Sequence, residues 1–201
     1  MRYLFIGNSH TYYNSMPHLF EQLAAAVDPA PHVVMLAHGG MGYPFHADGE
    51  EAPFNIRYGH YDYVILQHVA HPMGDIDEMF RAGRLLAGMA KEYGAKPLLY
   101  MTWTKKGDEA AQADMSNAYR RLARETGSLL APVGDVWQET RRQLPHLELY
   151  FTDDRHASYE GSHLAASTIF SAIFRQPAPA DSADRRQIAQ LAWAFVQKEN
   201  P

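Results

Sequence analysis

The 201-residue sequence contains no cysteine, which excludes disulfide frameworks, thiolate metal sites and cysteine nucleophiles together. It has no run approaching the roughly 20 apolar residues that a membrane span requires. It also has no basic run: 18 Lys and Arg against 23 Asp and Glu leave a net charge of −5. A protein that lives on phosphate contacts needs a positive stripe, so neither nucleic acid nor a membrane is an expected partner. Internal repeats and low-complexity blocks are absent as well. What is present is an ordinary globular balance, 46% hydrophobic and 20% charged, which rules out a disordered chain. At roughly 150 residues per domain the length predicts one domain over residues 1–201. Met1-Arg2 runs directly into Tyr3-Leu4-Phe5-Ile6, too short for a signal-peptide core and ended by Gly7. That start reads as a first strand, and a cytoplasmic location is expected.

Short apolar runs alternate with longer amphipathic stretches. Tyr3–Ile6, Val33–Leu36, Tyr63–Leu66, Pro97–Met101 and Ser128–Ala131 read as strands covered on both faces. Met16–Val27, Asp77–Tyr93 and Ala110–Thr126 place apolar residues on one helical stripe. Asp28-Pro29 stops the first helix, and Gly94 and Gly127 sit where a left-handed terminal residue belongs. Repeated strand–helix–strand units with right-handed crossovers predict a parallel five-stranded sheet in a three-layer α/β/α sandwich. Gln176–Ser182 reads as a linker to a last amphipathic helix, about 184–198, packing on the same domain. The segment Asp48–His60 is compatible with either a lid or a packed crossover.

In an open parallel sheet ligands bind at the carboxyl ends of the strands. Three loops fall there: Gly7-Asn8-Ser9-His10-Thr11, His38-Gly39-Gly40-Met41-Gly42, and Gln67-His68-Val69-Ala70-His71. Asp153-Asp154-Arg155-His156, before a helix starting near Tyr159, is a fourth candidate. A serine after a strand is ordinarily a cap or turn residue. It becomes a nucleophile when an imidazole takes its proton and a carboxylate fixes the imidazole tautomer. Asp153 and His156, three residues apart, are able to supply both.

Phe5-Ile6-Gly7-Asn8-Ser9-His10-Thr11 resembles the first signature of the SGNH/GDSL hydrolases, and Leu149-Tyr150-Phe151-Thr152-Asp153-Asp154-Arg155-His156-Ala157-Ser158 resembles their last, an Asp-x-x-His. Gly161-Ser162-His163-Leu164-Ala165-Ala166 fits the helix that follows. The resemblance implies a flavodoxin-like SGNH fold, with Ser9 as nucleophile, His156 as general base and then acid, and Asp153 as the orienting carboxylate. Asp154 is the local rival. It implies an oxyanion hole made by the Ser9 N–H, a glycine N–H (Gly42 first, Gly40 second) and a side chain after strand 3. The family's asparagine is missing there. Gln67 is the expected substitute, with His71 as an alternative, and a less characterised branch of the superfamily also resembles this chain in its Leu-Gln at that position and in Tyr100-Met101-Thr102-Trp103. Asn8, His71 and Trp103 are the candidate substrate contacts.

The resulting expectation is a serine esterase without cofactor that cleaves small acyl groups, acetyl foremost, from an alcohol such as a sugar hydroxyl. Activity should rise with pH through the histidine range, near 6–7. Two other readings use the same residues. The Gly7–Thr11 loop also resembles a phosphate cradle of a flavin mononucleotide-binding protein, which would leave Asp153 and His156 without a role. A non-catalytic binding module of the same fold is the other. No metal site is expected: His68-x-x-His71 and His156 with His163 lack a convincing helical pair and a third ligand.

Overall fold

The computed structural model describes residues 1–200. Five strands, β1 (Arg2–Gly7), β2 (His32–Ala37), β3 (Tyr63–Gln67), β4 (Lys96–Tyr100) and β5 (Leu129–Ala131), form one parallel sheet in the order β2-β1-β3-β4-β5. This is the expected three-layer α/β/α architecture. Successive residues of each strand point to opposite faces, so the sheet feeds two cores. Tyr3, Phe5, Ile65, Leu98 and Tyr100 face one of them. Leu4, Ile6, Val64, Leu66 and Leu99 face the other.

Among the described residues nine α-helices run between and after the strands: α1 (Ser9–Tyr12), α2 (Met16–Ala24), α3 (Tyr43–Asp48), α4 (Glu51–Tyr58), α5 (Ile76–Glu92), α6 (Gln112–Thr126), α7 (Val133–Gln143), α8 (Tyr159–Phe174) and α9 (Ala183–Glu199). The first core is covered by α2, α7, α8 and α9, the second by α3 to α6. Gly94 and Gly127 adopt φ of 85° and 57°, the left-handed geometry that closes α5 and α6. Ser158 and Ser182 cap α8 and α9 through their side chains. The segment Asp48–His60 is a packed crossover rather than a lid: Ala52 and Ile56 bury one face of α4, leaving Phe54 and Tyr58 in solvent.

Two expectations are corrected. β2 is not covered on both faces, because it forms the sheet edge and leaves Met35 44% exposed. The first long helix ends at Ala24 rather than Val27, where the chain passes into a turn before Pro29. Helix α7 has no counterpart in the sequence reading. It starts one residue after the three-residue strand β5, with Pro132 alone between the two.

The topology also locates the site. β1 leads outward to β2 on one side, while β3, β4 and β5 follow on the other, so the strand order reverses between β1 and β3. A crevice opens at such a reversal beyond the carboxyl ends of the strands.

Candidate active site

Asn8 follows β1 and caps α1, its Oδ1 accepting from the His10 N–H at 3.1 Å. This cap presents Ser9 at the crevice, half-buried. Far along the chain, Tyr150 and Ala157 form an antiparallel bridge that closes a tight loop, reinforced by Phe151 N–H to His156 O at 2.7 Å. Within it, Asp153 Oδ1 accepts the N–H groups of Arg155 (3.0 Å) and His156 (2.9 Å). Asp153 Oδ2 lies 2.5 Å from His156 Nδ1, and His156 Nε2 lies 2.8 Å from Ser9 Oγ. Ser9, His156 and Asp153 are thus brought together in one hydrogen-bonded chain.

The proton positions follow from the partners. A carboxylate only accepts, so Nδ1 carries the imidazole hydrogen and Nε2 presents a lone pair to the Ser9 hydroxyl. Burial pushes the Asp153 carboxyl up, but the His156 side chain and the two backbone N–H groups outweigh it and hold the group at about 2. It is therefore an anion over the working range. Tyr13 stacks flat on the His156 ring, centroids 4.1 Å apart at 7°, and fixes its plane. Asp154 turns away: its φ is 58° and its carboxylate lies 3.7 Å from Lys106 Nζ.

Three residues tie the late loop down, Asn14 to the segment after β1 and the other two to the loop after β4. Asn14 Nδ2 reaches Ala157 O (3.0 Å), Ser158 O (3.0 Å) and Ser162 Oγ (2.9 Å). Trp103 Nε1 donates to Arg155 O at 2.9 Å. Tyr150 Oη donates to Thr104 O at 2.9 Å. Asn14 and Tyr13 were not singled out for these roles in the sequence. The only local signal is an asparagine at a position whose φ of 52° suits that residue.

The N–H groups of Ser9, Gly40 and Gly42 have no acceptor among the described residues. Gly42 is the more rigidly held of the two glycines. The carbonyl of its preceding peptide, Met41 O, accepts from Asn8 Nδ2 at 2.8 Å, and the following Tyr43 N–H donates to His68 Nδ1 at 2.9 Å. A Cβ on Gly42 would stand 2.6 Å from the His68 ring, so only glycine lets the loop lie this close. Gly40, with φ of 74°, is exposed and has nothing packed against it.

Three expected assignments change. Gln67 is fully buried: its Oε1 accepts from the Asn8 N–H (2.8 Å) and Thr11 Oγ1 (3.0 Å), and its Nε2 donates to His68 O. The Asn8 donor fixes which end of the amide is which, so the Nε2 end is turned to His68 O inside the fold rather than presented to an oxyanion in the crevice. Asn8 is not a substrate contact, since its side chain is 1% exposed and spent on the α1 cap and Met41 O. Trp103 does not wall a pocket either. It is buried, stacked on Trp137 at 3.8 Å and 7°, and positions the Arg155 carbonyl.

The histidines divide clearly. His68 is saturated, accepting from Tyr43 N–H and donating to Met73 O at 2.9 Å, and burial lowers it to about 4. With both ring nitrogens occupied it has no lone pair for a metal, and His163 lies on α8 beside Ser167. Among the described residues, no group of three His, Asp or Glu is arranged to hold a metal ion. His10 packs its ring 5.3 Å from His156 and 4.9 Å from His71. Burial, with His71 and His156 adding to it, lowers His10 to about 3; burial beside Arg155 and His156 lowers His71 to about 4. Both rings are neutral near pH 7. His71, a candidate substrate contact, lines a cavity of about 400 Å³ next to the site.

No protein-family model matches the chain, and no curated protein sequence does. Solved structures match over most of its length. A protein from Slackia heliotrinireducens, named as a candidate SGNH hydrolase, superposes with a TM-score of 0.73 at 27% identity, over 86% of this chain and 98% of that one. An acetylxylan esterase from Geobacillus stearothermophilus gives 0.63 at 18% identity, over 87% and 92%. A family 3 carbohydrate esterase from Talaromyces cellulolyticus gives 0.68 at 12% identity, over 87% and 97%. The last two share the fold. The five-stranded parallel sheet and its relatives define an α/β/α hydrolase of the SGNH type. The chain belongs to the SGNH/GDSL hydrolase superfamily. No helix is long and apolar enough to cross a membrane among the described residues.

Proposed function

We propose that the protein is a serine esterase that hydrolyses small acyl esters, acetyl esters among them, through an acyl-enzyme. The observation that carries this reading is the unbroken chain from Ser9 Oγ through the His156 ring to Asp153, at 2.8 and 2.5 Å. Ser9 Oγ bonds to the ester carbonyl carbon while its proton passes to His156 Nε2. The oxyanion is held by the N–H groups of Ser9 and Gly42, with Gly40 as the second choice. As the ester C–O bond breaks, His156 returns the proton to the departing alcohol. Water then repeats the sequence on the acyl-enzyme, giving the free acid and restoring Ser9. Asp153 stabilises the imidazolium in both halves.

The exposed aromatics Tyr12 and Phe151 lie beside Tyr13 at the rim and offer flat surfaces to a sugar alcohol, in keeping with the carbohydrate esterases among similar structures. The flavin reading loses support because the Ser9 hydroxyl is engaged by a histidine rather than left for a phosphate.

Ser9→Ala should abolish p-nitrophenyl acetate hydrolysis and labelling by a serine-directed fluorophosphonate while leaving Tm nearly unchanged. Hydrolysis that survives in this variant would place the nucleophile elsewhere. An inactive, unlabelled wild-type protein that still binds acylated sugars would instead favour the binding module.

A further inference from the structure

The cavity beside the site is walled by Ala70, His71, Met73, Ala111, Met115 and Arg155, among others, holds about 400 Å³ and is about half open to solvent. Two links join it to the chemistry. Arg155 precedes His156 in the chain, and its carbonyl is held by Trp103. His71 packs on His10, which packs on His156. Two alanines, two flexible thioethers and Pro72 give the wall its carbon, its four charged residues carry exposed side chains, and no Phe, Tyr or Trp offers a platform for a sugar ring. Ligand pockets run from about 300 to 1,000 Å³, and an acetyl methyl alone would leave most of this one empty.

The two sides of the site suit the two halves of an ester differently. The acyl group stays bound through both steps, whereas the alcohol must leave after the first. A walled, half-open cavity fits the group that is retained, and the rim of Tyr12 and Phe151, 38% and 45% exposed, fits the group that departs.

We infer that this cavity is the acyl subsite and takes an unbranched aliphatic acyl chain of about four to eight carbons. The inference rests on the serine-esterase reading and names its substrate class. Each methylene buried is worth about fourfold in kcat/KM. Across p-nitrophenyl acetate, butyrate, hexanoate and octanoate, kcat/KM should therefore rise at least about tenfold from acetate to hexanoate. Ethyl, butyl and hexyl acetate, which lengthen the alcohol instead, should show no such rise. Ala111→Trp, filling the cavity from a half-buried position, should bring the hexanoate-to-acetate ratio towards one. Met73→Phe carries the same expectation should the first variant fail to fold.

A profile that falls from acetate onwards, or a ratio that filling the cavity does not change, overturns the inference. A chain-length preference confined to the alkyl acetates gives the cavity to the alcohol and overturns it too. In each of those outcomes acetate hydrolysis and fluorophosphonate labelling of Ser9 persist, so the esterase reading stands. Loss of both from the wild-type protein removes the esterase reading, and this inference with it.

Discussion

Asp153 uses one oxygen to fold its own loop and the other to orient His156. Replacing it with asparagine would let an amide N–H face Nδ1 and favour the wrong tautomer, so Asp153→Asn is expected to lower kcat by about 10⁴. Asp154 touches only Lys106, and Asp154→Asn should leave kcat within about twofold; measuring the two side by side identifies the orienting carboxylate. Gln67 offers a sharper contrast between two roles. Were it an oxyanion donor, its loss would lower kcat and spare stability. As the acceptor of the buried Asn8 N–H, its replacement by leucine leaves that donor unpaired, costing about 1–3 kcal/mol. Gln67→Leu is therefore expected to lower Tm by roughly 3–10 °C along with kcat, by thermal melts and initial rates on the same preparation.

At the scale of elements, the geometry depends on how α8 is seated. Ser158 caps it one residue after Ala157, so any shift of its first turn is passed to His156. A Cβ on Gly161 would lie 2.3 Å from Leu149 O and 2.6 Å from the Trp137 ring, neither of which can retreat within the core. Gly161→Ala should destabilise by about 1–3 kcal/mol and reduce kcat as well. Gly88, on the exposed side of α5 with nothing within 4 Å, is the opposite case. Gly88→Ala should raise stability by about 0.5–1 kcal/mol without altering kcat, because only the conformational freedom of the unfolded chain changes.

For the whole molecule, the buried neutral histidines dominate the acid response. His10 is lowered to about 3, and His68 and His71 to about 4, each chiefly by burial. Unfolded, each would titrate near 6.5. Between about pH 6.5 and 4 the unfolded chain therefore binds more protons than the folded one, and stability is lost as pH falls through that window. By pH 4 three such groups together cost on the order of 10 kcal/mol, comparable with the stability of a typical domain. Acid unfolding is expected between about pH 5 and 4, followed by circular dichroism; a protein fully folded at pH 3.5 would contradict this. The two cores share one sheet, so we propose that residues 1–201 form a single unit that unfolds in one transition, with α9 melting alongside β1. A calorimetric trace with a separate α9 step would contradict that.

The sequence alone settled what depends on local chemistry and on order along the chain. Five short apolar runs became the five parallel strands, Gly94 and Gly127 closed their helices, and the two signatures pointed to Ser9, Asp153 and His156. The strands and helix ends were legible because hydrophobic period and left-handed φ are written in residue type and spacing, whereas the candidate site residues came from the resemblance of those two signatures to the family's. Only the tertiary structure decided which polar side chains face the crevice. Asn8, Gln67 and Trp103 all lie in site loops, yet each is turned inward by a backbone group that burial would otherwise leave unpaired: Met41 O, the Asn8 N–H and Arg155 O. Those partners lie between 33 and 59 residues away in sequence. Which donor meets which acceptor at such separations is set by how the loops pack, and no local pattern in the chain records it.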